Sequence, residues 1–158
     1  MTRNILIIVV IAALVVLFCV YFFPWQYKSS KPSDYLNAVI TLERTMCFGT
    51  CPAYKLTIYG DGRVVYEGEN YVKVTGTQNA DISEDDVKGL VDEFYRIGYF
   101  SLADSYTADI TDLPTTITSI SIDGKTKQVV DYHGAPLALV DLEKRIDEVA
   151  NTKIWVEG

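Results

Sequence analysis

Cys47 and Cys51 are the residues whose types and spacing could do chemistry, four positions apart in the run CFGTCPAY. A disulfide can close that gap if the backbone turns, because bonded cysteines hold their Cα atoms roughly 4.4–6.8 Å apart. A structural bridge across so short a loop is worth ~2 kcal/mol by chain entropy. The other chemistry open to the pair is thiol redox, as an enzyme or a sensor. A low thiolate pKa needs a helix N-terminus or a nearby cation. Pro52 and a strand follow Cys51, which leaves Arg44 to supply the charge. Zinc is disfavoured, since His133 is the single histidine and about four ligands are usual. His133 stands beside Gly134 without a nucleophile arranged around it, so a surface turn suits it better than a general base.

The other polar groups yield no catalytic set. Gly-x-Ser-x-Gly, P-loop and dinucleotide fingerprints are absent from the sequence. Asp81, Glu84, Asp85 and Asp86 form one acidic patch, and Asp104, Asp109 and Asp112 another. Neither has calcium-loop spacing, and helix capping and turn chemistry account for them. No catalytic residue, metal site or cofactor is expected.

The element that must position the cysteines is a hairpin directly after them. Tyr54, Leu56 and Ile58 alternate with Lys55, Thr57 and Tyr59, the period of a strand with one buried face. Gly60-Asp61-Gly62 supplies residues that tolerate positive φ. A three-residue loop sets Ile58 against Val64 and Leu56 against Tyr66, with Lys55 against Glu67 on the other face. A two-residue loop would set Leu56 against Glu67 and scatter apolar groups over both faces. The sequence therefore predicts the longer loop, with Gly62 in the left-handed region. Tyr59 falls on the outer face beside Arg63, where the pair offers a recognition surface.

The chain has 158 residues and a net charge of -7, with all its acidic residues from Asp34 onward. An anionic domain argues against nucleic acid and anionic membrane surfaces as partners. Ile5 to Phe23 is an unbroken apolar run, long enough as a helix to span the ~30 Å core of a bilayer. Phe22 to Trp25 follow it where a signal peptidase needs small residues, and Phe18 blocks a lipobox at Cys19. Expected, then, are a single-pass anchor over residues 1–27, a linker over 28–37 and a domain over 38–158. Arg3 and the amino terminus oppose Lys28 and Lys31, so positive residues do not fix the orientation. Tyr21, Trp25 and Tyr27 suit an interfacial aromatic belt on the far side. The paired cysteines and the acidic balance favour a domain outside the cytoplasm.

Along the domain, Ala38–Met46 reads as a first strand and Tyr71–Thr75 as one beyond the hairpin. Ser83 to Asp86 form a capping box ahead of Val87, Leu90, Val91, Phe94 and Ile97 at helical spacing, with Gly98 at the C-cap. Gly89 inside this helix points to close packing. Tyr99 to Pro114 reads as a long connection. A second hairpin runs from Thr115 to Asp123 and from Gln128 to Tyr132, its register open because Val129 and Val130 point to opposite faces. Pro136 opens a last helix carrying Leu139, Leu142, Ile146 and Val149, and Trp155 closes the core. The fold class expected is α+β: an N-terminal transmembrane helix, then an antiparallel sheet with two helices on one face, in the order strands, helix, strands, helix.

The run Cys47-Phe48-Gly49-Thr50-Cys51-Pro52-Ala53-Tyr54, with Gly60-Asp61-Gly62, Thr111-Asp112-Leu113-Pro114, Gly124-Lys125 and Asp131-Tyr132, resembles a family of uncharacterised prokaryotic proteins known only as a domain of unknown function. The resemblance spans Leu42 to Trp155. It implies one small domain, often behind a signal or membrane segment, and carries no activity, substrate or catalytic residue. The function expected is a membrane-anchored, extracytoplasmic binding or structural domain, with thiol redox chemistry at Cys47 and Cys51 as the alternative.

Overall fold

The computed structural model describes residues 11–18, 32 and 34–157. The chain divides into two units, residues 1–30 and residues 31–158. Of the first, residues 11–18 are described, and they are helical. Among the described residues no helix is long and apolar enough to cross a membrane, which overturns the transmembrane helix expected over 5–23. The rest of that run, Cys19, Tyr21, Trp25 and Tyr27 lie outside the described residues, as do residues 28–31 and 33.

The second unit is built on one seven-stranded sheet in the order β4-β3-β2-β1-β6-β7-β5. Its strands are β1 (Val39–Arg44), β2 (Ala53–Tyr59), β3 (Arg63–Asn70), β4 (Gly76–Asp81), β5 (Ser105–Tyr106), β6 (Thr116–Ile122) and β7 (Lys125–Asp131). The β2–β3 hairpin has the register its alternation demands, with Ile58 opposite Val64, Leu56 opposite Tyr66 and Lys55 opposite Glu67. Gly62 has φ 90°, and a Cβ there would collide with the carbonyl of Ile82. The β6–β7 hairpin turns through Asp123 and Gly124, both at positive φ, the geometry whose twist matches flanking strands. That register sends Val129 into the core and leaves Val130 half-buried on the other face.

Two strand expectations need correcting. Tyr71–Thr75 forms bends, because Tyr71 takes φ 53° and the N–H groups of Lys73 and Val74 donate to the carbonyls of Val156 and Trp155. The strand follows it, as β4. The sheet is also mixed, since β5 pairs in parallel with β7 while the other pairings are antiparallel.

Helix α1 (Glu84–Arg96) starts where the Ser83 hydroxyl accepts the Asp86 N–H at 3.1 Å. It ends at Gly98, left-handed at φ 68°. Helix α2 (Leu137–Ala150) is preceded by Pro136, and a short α3 (Lys153–Val156) follows. Val87, Leu90, Val91 and Phe94 of α1, with Leu139, Leu142 and Ile146 of α2, join Ile40, Leu42, Leu56, Ile58, Val64, Tyr66, Ile120, Ile122 and Val129 of the sheet in one core. Trp155 stacks on Tyr66 at 4.9 Å between centroids and closes the end of that core. The packing expected at Gly89 is not there, as a Cβ added at that position meets nothing within 4 Å.

Candidate functional site

The loop between β1 and β2 carries the two cysteines. They form a disulfide with Cα atoms 5.6 Å apart. Its base is tied down where the Thr45 N–H donates to the Thr115 carbonyl and the Thr115 N–H to the Thr45 hydroxyl, each at 2.9 Å. Phe48, Gly49 and Thr50 are exposed at its tip, and the Phe48 ring is 89% accessible. Met46 beside it is exposed as well.

Beneath the loop lies a polar cluster on the helix-covered face of the sheet. Arg44, at the end of β1, donates to Asp147 Oδ2 from Nε at 2.9 Å and from Nη2 at 2.7 Å. Its Nη1 donates to the Thr116 hydroxyl and its Nε also to Tyr54 Oη, each at 3.1 Å. The Tyr54 hydroxyl in turn donates to Asp147 Oδ1 at 2.7 Å, and Thr152 donates to the same oxygen at 3.0 Å. Burial, then the adjacent Asp147 charge, pushes the Tyr54 hydroxyl well above its usual range. Both carboxylate oxygens of Asp147 are thus engaged. The cluster ties α2 to the end of β1 and the start of β2.

Two depressions share Tyr54 and Val156 as walls. One, of about 200 Å³, is lined by Arg44, Cys51, Pro52, Pro114 and Thr116. The other, of about 460 Å³, is lined by Asp147, Asn151, Thr152 and Lys153. Arg44 therefore does stand near Cys51, as the redox alternative requires. Its charge, however, is matched by Asp147 at 2.7 Å, so little of it remains to lower a thiolate pKa.

A second polar group lies deeper. Glu143 of α2, only 3% exposed, accepts a hydrogen bond at 3.0 Å from the Thr118 hydroxyl of β6. The Tyr99 hydroxyl donates to the Thr118 carbonyl at 2.6 Å. Burial pushes the Glu143 carboxyl up to about 7, with the Thr118 hydrogen bond working against the rise. Sequence reasoning passed over this residue, although Glu143 stands four after Leu139 and three before Ile146, on the core-facing stripe. The Arg44–Asp147 pair was also missed, its partners being 103 positions apart.

The remaining candidates fall elsewhere. Tyr59 and Arg63 sit at the far end of β2 and β3 from the disulfide, with the guanidinium carbon 3.7 Å from the ring centroid. That cation covers one face of the ring. His133 is exposed in the turn after β7. Among the described residues no group of three or more His, Cys, Asp or Glu side chains could hold a metal ion.

A single sheet with helices on one face and a disulfide-stapled loop at one end defines a small α+β module. The sequence model of a family described as "Domain of unknown function (DUF6438)" matches residues 38–150, and the chain belongs to that family. No curated protein matches it.

Proposed function

We propose that this protein is an extracytoplasmic binding module whose contact surface is the stapled loop and the two depressions beside it. The observation that carries the reading is Phe48, 89% accessible on a loop whose ends are locked by the disulfide. Aromatic side chains are the commonest anchors of protein contacts. Holding one in a closed loop removes much of the ordering cost of association. The bridge itself favours an oxidising compartment, where disulfides persist. Against the redox alternative stands the neutralised Arg44, and the depression beside Cys51 contains no second cation.

The test places a photo-crosslinking phenylalanine analogue at position 48 of the full chain in its native cells. A discrete adduct is expected, lost when Cys47 and Cys51 are both changed to Ser and not formed when the analogue replaces exposed Lys125 in the β6–β7 turn. Equal labelling from both positions, or none, overturns the reading. Thiol–disulfide exchange catalysed by the wild-type protein and abolished in Cys47→Ser would instead support the redox alternative.

A further inference from the structure

The sheet has two edges of different construction. At one, β5 is two residues long and so offers almost no template. At the other, β4 runs for six residues, Gly76–Asp81, and pairs with β3 along its whole length, from Gly68 opposite Gly76 to Arg63 opposite Asp81. No described strand pairs with its other side. Natural edges are commonly blunted by Lys, Pro, a bulge or extreme shortness. The sequence Gly-Thr-Gln-Asn-Ala-Asp has neither Lys nor Pro, and its register with β3 is unbroken. Every second residue of such an edge turns its N–H and C=O outward.

We propose that the outer edge of β4, which no described strand pairs, takes up an extended basic peptide segment as an eighth strand. The charge around the edge selects the occupant. Asp81 lies on β4, Glu67 and Glu69 on the neighbouring strand, and Glu84 and Asp85 just past its end, all exposed. Arg63 is opposite Asp81, but its guanidinium lies over the Tyr59 ring on the far side of β3. Lys73 is the exposed cation on the approach to β4. An incoming antiparallel strand would place alternate side chains beside Thr77, Asn79 and Asp81 on the helix-free face, where Lys or Arg meets Asp81 and Glu67. Its other side chains would lie beside Gln78 and Ala80, which are half-buried against the core side, and small apolar groups fit there. A second copy pairing about Asn79 would bring each Asp81 opposite Thr77, whose neighbour on β3 is Glu67, acid towards acid. This surface does not depend on the stapled-loop reading, which concerns a different set of side chains.

The experiment uses the full-length protein and a synthetic capped heptapeptide of alternating Lys and Val. Amide hydrogen exchange is followed with and without it. The peptide is expected to slow exchange at the outward N–H groups of Gly76–Asp81 at least tenfold and to leave β5 unchanged. Asp81→Asn should weaken the apparent affinity several-fold without changing the free protein's exchange elsewhere, and added salt should do the same. Equal protection by the Glu-for-Lys peptide overturns the proposal. So does no protection at millimolar peptide. Protection already present without peptide, whether constant or rising with protein concentration, overturns it too, since the edge would then be occupied by the chain itself or by a second copy.

Discussion

Replacing Glu143 with Gln tests the reasoning about the buried carboxyl. In the unfolded chain this group ionises at its ordinary 4.5, whereas in the fold burial holds its proton up to about 7. Between those values only the unfolded state sheds the proton, so stability present in full below the lower value is lost as pH rises through the upper one. At about 1.4 kcal/mol per pH unit, the loss between roughly pH 5 and pH 8 comes to about 2–3 kcal/mol. Asp131, also raised by burial, titrates in the same direction, so the comparison must be with a variant and not with an absolute curve. Gln keeps the shape of Glu143 and still accepts from the Thr118 hydroxyl, but it carries no titrating proton. Urea unfolding of both proteins, with the disulfide intact, gives the assay. The variant should gain the same about 2–3 kcal/mol on the wild type in going from pH 5 to pH 8. The whole argument is refuted if the difference between the two proteins stays the same at both pH values.

Two further substitutions probe the backbone. Gly89→Ala should stabilise the protein by up to ~1 kcal/mol in urea unfolding, because Ala is the better helix former and the added methyl meets nothing within 4 Å; a loss of stability would show that α1 is packed at this point. Gly62→Ala should destabilise by at least ~1–2 kcal/mol, the cost of a left-handed Cβ, with the Ile82 carbonyl in its path. An unchanged thermal midpoint for this variant would mean that the three-residue turn is not rigidly held.

What could be read from the sequence was what depends on near neighbours. The β2–β3 register followed from strict alternation around Gly60-Asp61-Gly62, since a one-residue slip would have turned Leu56 and Tyr66 to opposite faces. The start and stop of α1 followed from Ser83 and Gly98, which act through bonds to the adjacent turn. What could not be read depends on distant partners. Tyr71–Thr75 has strand-forming residues, yet its N–H groups are claimed by carbonyls of α3. Gly76–Asp81 is a strand without an apolar stripe because it lies at an edge and needs only β3. Arg44 and Asp147 reveal their pairing only once β1 and α2 are packed together. Ile5–Phe23 shows the opposite failure: its composition is sufficient for a span, yet among the described residues no helix is long and apolar enough to cross a membrane.

The central place of β1 has a consequence for synthesis. Its one side is satisfied by β2, which follows within ten residues, but the other waits for β6, whose first residue is Thr116. At ~5–20 residues per second, the ribosome takes roughly 4–15 s to add the intervening chain. Through that interval the nascent half-sheet carries a bare flank bearing Ile40 and Leu42, and a product truncated before Thr116 keeps that flank permanently.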